Sequence, residues 1–273
     1  MLPARTVHVP GRGEFFLRDS GGDGPSVMLL HGWMATADLN WWVLYGDLVG
    51  AGYRVLAIDH RGHGRGLRPL APFRLADCAA DAAGVLRTLD VAPALVVGYS
   101  MGGAIAQIMA LEHADVVEGV VLSGTAQHWQ DPRTRRAFRG LGLLGLSLSL
   151  APRLTYGVGI RPIRRRDAKR AVWLESELMR HSARDIAEAG RELGRFDSRP
   201  WLGSVAAPIA VLITTRDELV AVRKQRQLAE AAAGRVFEAP LRHMEVGWRR
   251  EEYAPQLLAA LASVSRRQAA QAA

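Results

Sequence analysis

The residues best suited to do chemistry lie in one short stretch, Gly98-x-Ser100-x-Gly102. An apolar run that begins at Ala94 enters this stretch, and helix-forming residues follow it from Ala104. A serine on so tight a strand-to-helix turn is held in a strained backbone conformation, and the two glycines avoid collisions with the neighbouring strand and helix. The partial positive charge at the helix N-terminus favours a developing anion there. The stretch therefore predicts a nucleophilic serine.

Strand and helix patterns alternate on both sides of this turn. The predicted strands are 6–9, 14–18, 26–30, 53–58, the run from 94 into the turn, 116–122, 209–214 and 235–239. The predicted helices are 41–50, 75–89, 104–111, 167–180, one that opens at a capping box at 182–185, 222–233 and 255–267. This alternation predicts an α/β fold with a mostly parallel, eight-stranded sheet and helices on both of its faces. Between about 127 and 200 the patterns are helical only, which indicates an insertion above the carboxyl edge of the sheet.

In this context the chain resembles the α/β-hydrolase family, in its serine esterase or lipase-like branch. The resemblance extends over nearly the whole chain outside the helical insertion. It implies a core formed by residues 1–126 and 201–273, and a helical cap formed by residues 127–200. Hereafter "the cap" means that segment.

The resemblance also implies a catalytic triad in the chain order Ser100, Asp217, His243. His243 is the only histidine after residue 200, and it follows the last predicted strand, where the family places its base. Asp217 follows strand 209–214 at the family's position for the acid; Glu218 beside it is the alternative. The family's other acid position, after strand 116–122, holds Ser123, Gly124 and Thr125 and therefore no carboxylate.

Two backbone amides are expected to form an oxyanion hole. One belongs to Met101, directly after the nucleophile, and by resemblance the other belongs to Trp33, with Gly32 allowing the close approach. The segment from Asp59 to Gly64 matches another family loop, and we interpret it as a structural turn. Two departures from the family pattern affect loop geometry: Leu241 and Arg242 precede His243 where small residues are usual, and Ala221 replaces a proline that often follows the acid.

Composition narrows the class of protein. The chain has 273 residues, 49% of them hydrophobic and 23% charged, as in ordinary globular proteins. The single cysteine, Cys78, excludes an internal disulfide and argues against a cysteine metal site, and its helical context predicts a buried, inert thiol. Residues 1–5 lack the apolar core of a signal peptide, so a cytoplasmic location is expected. We expect neither an organic cofactor nor a metal.

The formal net charge of +8 comes largely from local arginine clusters. No nucleic-acid motif accompanies these clusters, so no nucleic-acid partner is expected. A solvated helix face is the first interpretation, and weak contact of the basic cap with a lipid surface is the second. The clustered residues are Arg133, Arg135, Arg136, Arg139, Arg161, Arg164, Arg165, Arg166, Lys169 and Arg170.

Leucines and glycines alternate in the first half of the cap. Leu143, Leu144 and Leu146 lie among Gly140, Gly142 and Gly145, which gives this segment much apolar surface and little stiffness. We expect these three leucines to form the substrate pocket together with Trp33. The alternative is that they only pack the cap onto the core.

A serine nucleophile predicts acyl transfer to water, because opening epoxides or displacing halides would require an aspartate that forms an alkyl ester. The expected function is hydrolysis of a mainly apolar small-molecule carboxylic ester through an acyl-enzyme. A carbon–carbon bond hydrolase or lactonase with the same triad is one alternative. A ligand-binding or receptor protein with a slow or vestigial triad is another. The oligomeric state is left open between monomer and homodimer.

Overall fold

The computed structural model describes residues 1–265, except for the side chains of Arg133, Arg135, Ala137 and Arg166. Its centre is one eight-stranded sheet with the order β1-β2-β4-β3-β5-β6-β7-β8. The first two strands pair antiparallel, as do β2 and β4, and the strands from β4 to β8 run parallel. The predicted fold class, an α/β-hydrolase fold with a mostly parallel sheet, is confirmed. The strands are β1 Ala4–Val9, β2 Gly13–Asp19, β3 Ser26–Leu30, β4 Arg54–Ile58, β5 Ala94–Tyr99, β6 Val117–Ser123, β7 Ile209–Thr214 and β8 Arg235–Ala239.

Apolar side chains cover both faces of the sheet. On one face α3, α4 and α10 pack over the sheet, and on the other face α1, α2 and α11 do so. The central strands β3, β5 and β6 are buried throughout their length, which explains why they appear as continuous apolar runs in the sequence. The helices are α1 Ala37–Trp41, α2 Tyr45–Gly50, α3 Leu75–Thr88, α4 Met101–Glu112, α5 Pro132–Arg139, α6 Leu141–Leu150, α7 Pro152–Arg166, α8 Ala168–Leu178, α9 Ala183–Arg195, α10 Val222–Ala231 and α11 Arg250–Val264.

The helices α5 to α9 lie between β6 and β7, inside the segment predicted as the cap. Polar contacts attach them to the core: Arg65 forms an ion pair with Glu177 of α8 at 2.7 Å, and the amide of Ser182 donates to the carbonyl of Gly62 at 2.9 Å. In residues 1–265, no single helix is long and apolar enough to cross a membrane. Only α6 and α7 taken together reach that length and composition, and they are bent by 105° at the break between them.

Local differences from the sequence prediction are small. The helix predicted over 41–50 corresponds to α2, which begins only at Tyr45. The separate short helix α1 precedes it and begins where the Thr36 side chain accepts from the amide of Leu39. Half of the capping box predicted at 182–185 is present at the start of α9: the Ser182 hydroxyl accepts from the amide of Asp185, but the Ser182 amide donates to the carbonyl of Gly62 and not to the Asp185 side chain. The predicted end of the last helix, at residue 267, falls among residues 266–273, which lie outside the described part of the chain.

Candidate active site

Ser100 lies on a sharp turn between β5 and α4. Its φ of 54° and ψ of −115° are unusual for a residue with a side chain, as expected for a nucleophile turn. Two hydrogen bonds fix the turn: the Ser100 amide donates to the Ser123 carbonyl at 2.9 Å, and the Thr125 hydroxyl donates to the Ser100 carbonyl at 2.8 Å. The end of β6 and the loop that follows it therefore hold the strained residue in place.

The flanking glycines permit this close packing. A Cβ at Gly98 would lie 2.4 Å from the carbonyl oxygen of Gly102, and a Cβ at Gly102 would lie 2.1 Å from that of Leu30. Both distances are far below van der Waals contact, so neither position accepts a side chain without movement of the backbone. The structure thus shows the collisions that the two glycines were predicted to avoid.

The three predicted triad residues meet at the carboxyl edge of the sheet. The Nε2 atom of His243 lies 3.1 Å from the Ser100 hydroxyl oxygen, and its Nδ1 atom lies 2.7 Å from Oδ2 of Asp217. All three side chains are buried, Ser100 with 8% exposure. The geometry would allow the imidazole to accept the serine proton at one nitrogen while the carboxylate holds the other.

Asp217, and not Glu218, contacts the histidine; the Glu218 side chain is exposed. The Oδ1 atom of Asp217 accepts from the amides of Leu219 and Val220 at 2.9 and 2.8 Å. Its Oδ2 atom accepts from the Thr214 hydroxyl at 2.7 Å in addition to facing the imidazole. These donors fix the carboxylate and satisfy its charge in a buried position.

Three residues that hold the triad in place were not predicted from the sequence: Tyr99, Thr214 and Gln225. The Tyr99 hydroxyl donates to the backbone carbonyl of His243, and the two rings lie 5.0 Å apart. Burial raises the pKa of Tyr99 well above its ordinary value, so the hydroxyl keeps its proton. Gln225 donates to Oδ2 of Asp217 at 3.3 Å, beside Thr214. Tyr99 is the variable residue of the serine motif, where the sequence pattern carries no information about its side chain.

The loop after β3 lies directly against the nucleophile, as the oxyanion prediction requires. A Cβ at Gly32, the residue before Trp33, would lie 3.3 Å from the Cβ of Ser100. Met101 is the first residue of α4, and its amide therefore has no acceptor within the helix. The amide of Trp33 likewise donates to no acceptor among the residues that the structure describes. Both amides thus remain candidates for binding an oxyanion.

The structure corrects part of the predicted pocket. Leu143 and Leu146 are 74% and 54% exposed on the outer side of α6, so their assignment to the pocket wall is wrong. Leu144 is partly buried and packs with Trp33 against the apolar cluster of the cap, and its place in the pocket stays a prediction. The indole of Trp33 donates to the carbonyl of Ile186 in α9 at 2.8 Å, which attaches this wall of the site to the cap.

Four histidines lie on the core side of the cap, close to the nucleophile loop. The ring of His31 lies 4.2 Å from that of His60 and 5.3 Å from that of His63, and His63 lies 5.4 Å from His181 of the cap. Burial lowers the pKa of His60 to about 3 and that of His181 to about 4. Burial and the neighbouring histidines also lower the pKa values of His31 and His63. These rings are therefore neutral.

The segment from Asp59 to Gly64 acts as the structural turn that the sequence predicted. One carboxylate oxygen of Asp59 accepts from the amide of Ala37, and the other accepts from the amide of Arg65. Cys78 is a free, buried thiol, and burial raises its pKa. Across residues 1–265, no group of three or more histidine, cysteine or acidic side chains is arranged to hold a metal ion.

A family model described as alpha/beta hydrolase fold matches residues 25–244. The chain belongs to the alpha/beta hydrolase fold family. It is 28% identical over 240 residues to a pimeloyl-[acyl-carrier protein] methyl ester esterase of Chromobacterium violaceum, which covers 80% of this chain and 87% of that relative. It is 40% identical over 100 residues to epoxide hydrolase B of Mycobacterium tuberculosis, but that match spans only 36% of this chain and 28% of the relative. Among solved structures, the enol-lactonase of Burkholderia xenovorans LB400 is similar with a TM-score of 0.80 and 23% identity, covering 94% of this chain and 99% of the other, which shows the fold alone.

Proposed function

We propose that the chain is a serine hydrolase that cleaves carboxylic esters of small, mainly apolar molecules. The observation that carries the proposal is the line of contacts from Asp217 through His243 to Ser100, with the serine on a strained turn at a helix N-terminus. A serine hydroxyl is a poor nucleophile unless a neighbouring base takes its proton. The imidazole Nε2 atom of His243, 3.1 Å from the Ser100 hydroxyl oxygen, supports this role for the histidine.

In this mechanism the Ser100 hydroxyl attacks the ester carbonyl as His243 accepts its proton at Nε2. Asp217 holds the imidazole in the productive tautomer and stabilises the imidazolium that forms. The amides of Met101 and Trp33 donate to the oxyanion, and each donor of this kind contributes about 3–4 kcal/mol to lowering a barrier. His243 then returns the proton to the leaving alcohol. Water repeats the sequence on the acyl-enzyme and releases the acid.

The nucleophile argues against the activity named for the epoxide hydrolase relative. Opening an epoxide through a covalent intermediate needs a carboxylate nucleophile, and Ser100 cannot form the alkyl ester. The methyl ester esterase of Chromobacterium violaceum aligns over most of both chains, and its name describes cleavage of the kind of bond proposed here. That similarity supports ester hydrolysis.

A lactone is a cyclic ester, so hydrolysis of a lactone would use the same triad, the same two amides and the same steps. The fold shared with the enol-lactonase of Burkholderia xenovorans is compatible with that substrate. A carbon–carbon bond substrate would also be attacked by Ser100. A binding protein with a vestigial triad would differ from an ester, a lactone or a carbon–carbon bond hydrolase, because it would show no steady turnover.

A panel of p-nitrophenyl esters tests the proposal, with acyl chains from acetate to decanoate, two simple lactones and the Ser100→Ala variant as the blank. We expect turnover of the esters that the variant lacks. Chains of medium length should give a higher kcat/KM than acetate, since each buried methylene contributes up to about 0.8 kcal/mol. Turnover of lactones alone would change the substrate class, and no turnover above the blank would contradict a hydrolase.

A further inference from the structure

The cap exposes an unusual row of aliphatic side chains. Leu143, Leu146 and Leu150 are spaced by three and four residues along α6, which places them on one side of that helix. On α7, Leu154 and Val158 are likewise spaced by four residues and exposed. These five side chains are 54% to 77% exposed. They are called the outer stripe below: Leu143, Leu146, Leu150, Leu154 and Val158.

The opposite sides of the same helices are buried in the cap. Leu141 and Leu148 face inward on α6, and Gly145 lets that helix approach α9 so closely that a Cβ there would lie 2.9 Å from the Cβ of Ala187. On α7 the buried residues are Tyr156 and Ile160. The outer stripe is therefore not needed to hold the cap together. Soluble chains ordinarily expose such side chains singly and not in rows.

Basic residues follow the stripe at the same helical spacing. Arg161 and Arg165 lie three and seven residues after Val158, on the same side of α7. Between residues 140 and 172 the sequence has seven basic residues and one acidic residue, Asp167. Four exposed cations form no ion pair with any side chain that the structure describes, and they are called the basic patch: Arg153, Arg161, Arg165 and Lys169.

We propose that the outer stripe and the basic patch dock the cap on an anionic lipid surface. Apolar side chains on one helix face, bordered by arginine and lysine, are typical of helices that lie in a membrane interface. Each cation near such a surface contributes about a fivefold gain in affinity. The bend of 105° between α6 and α7 prevents a straight crossing, whereas two helix axes that meet at a short break can both lie along one plane.

An acidic protein is the other partner that the charge would suit. The composition of the stripe favours lipid, because it consists of leucine and valine only. Energetically dominant residues of protein interfaces are enriched in tryptophan, tyrosine and arginine, and leucine and valine are under-represented there. The proposal is independent of the reaction, since no residue of the stripe or the patch belongs to the triad.

Co-sedimentation with vesicles tests this proposal on the full chain. Vesicles of phosphatidylcholine with phosphatidylglycerol are compared with vesicles of phosphatidylcholine alone at physiological salt. We expect binding to the anionic vesicles that weakens as salt increases, and little binding to the neutral ones. No binding to anionic vesicles, or equal binding to both compositions, would overturn the proposal.

Paired variants separate the two components. The double variant Leu154→Ser and Val158→Ser should weaken vesicle binding by roughly tenfold or more, because two apolar side chains are lost from the contact with lipid. The double variant Arg161→Glu and Arg165→Glu should weaken it at least about twentyfold. A matched control, Arg223→Glu with Arg235→Glu, makes the same charge change at exposed positions of α10 and β8 in the core.

The control should bind within about twofold of the unchanged chain, and thermal unfolding should show that all variants are folded. Equal loss of binding in the control and the cap variants would show that net charge alone matters, which would refute a specific surface. Binding to soluble polyglutamate that is unaffected by Leu154→Ser and Val158→Ser, without vesicle binding, would identify an acidic chain as the partner instead.

Discussion

The Nε2 atom of His243 lies 3.1 Å from the hydroxyl oxygen of Ser100, although the two residues are 143 positions apart in the chain. Ser100 reaches this position with a φ of 54°, and the carbonyl of Ser123 and the hydroxyl of Thr125 hold it there. Such strain at a non-glycine residue persists only when its surroundings fix it. The contact between the two residues is therefore built into the fold before any substrate arrives.

Ser100→Ala should lower kcat by roughly 10⁴-fold or more while the thermal unfolding temperature stays nearly unchanged. The alanine removes the nucleophile and leaves the turn intact. Mass spectrometry after treatment with a serine-reactive fluorophosphonate should find the label on Ser100 alone. Ser123→Ala is the control, because Ser123 is also a buried serine at the end of a neighbouring strand, and this variant should still be labelled. A label on Ser123 would contradict the assignment.

Asp217→Asn should lower kcat by about 10⁴-fold, because an amide in place of the carboxylate favours the wrong imidazole tautomer and does not stabilise the imidazolium. The measurement is kcat on the best ester of the panel. Glu218→Gln makes the same chemical change at the exposed neighbour and should leave kcat within about twofold, since exposed substitutions away from the reacting groups have small effects. The assignment of the acid is wrong if the two variants exchange these results.

Tyr99→Phe should reduce stability by about 1–3 kcal/mol and lower kcat with little change in KM. The variant leaves the buried carbonyl of His243 without its donor, and an unsatisfied buried group costs that amount. The imidazole then loses part of its positioning. Tyr253→Phe is the matched control, because its hydroxyl bonds to Ser123 and not to the triad. A similar loss of stability in both variants, with kcat reduced only in Tyr99→Phe, would show that Tyr99 positions the histidine.

The free energy of unfolding should fall as the pH falls below about 6.5. His60, 2% exposed, has a pKa of about 3 in the folded chain, whereas an unfolded histidine titrates near 6.5. Between these values the unfolded chain takes up a proton that the folded chain does not, so each such histidine removes roughly 2 kcal/mol between pH 7 and pH 5. Asp59 opposes this trend, because burial raises its pKa to about 6 and acid then favours the folded state. One carboxyl group does not offset several histidines.

Urea unfolding at several pH values measures this loss of stability. His60→Phe should make the free energy of unfolding depend less on pH, by roughly the contribution of one proton. His8→Gln, which changes an exposed histidine of β1, should leave the pH dependence as it was. A free energy of unfolding that is constant from pH 7 to pH 5 would show that the buried rings are not held neutral.

The sequence by itself determined the local features of this protein. Gly98, Ser100 and Gly102 specify a tight turn because steric limits act between near neighbours in the chain. Continuous apolar runs specify buried parallel strands because both faces of such a strand are covered by helices. His243 could be found because it is the only histidine after residue 200, and Asp217 because it directly follows a strand; in both cases the family resemblance supplied the role.

Only the tertiary structure decided which side chains hold the site and which face solvent. The hydroxyl of Tyr99 finds its acceptor on His243, 144 positions away, and these two segments come together only in the folded sheet. Thr214 and Gln225 lie only three and eight positions from Asp217, but that carboxylate faces His243, 26 positions away, only in the folded chain. In α6, leucines occur on every side of the helix, so their spacing does not define a buried face. The close approach of α9 at Gly145 does define it, and it leaves Leu143 and Leu146 outside. Long-range packing, which no local pattern encodes, determines the orientation of that helix.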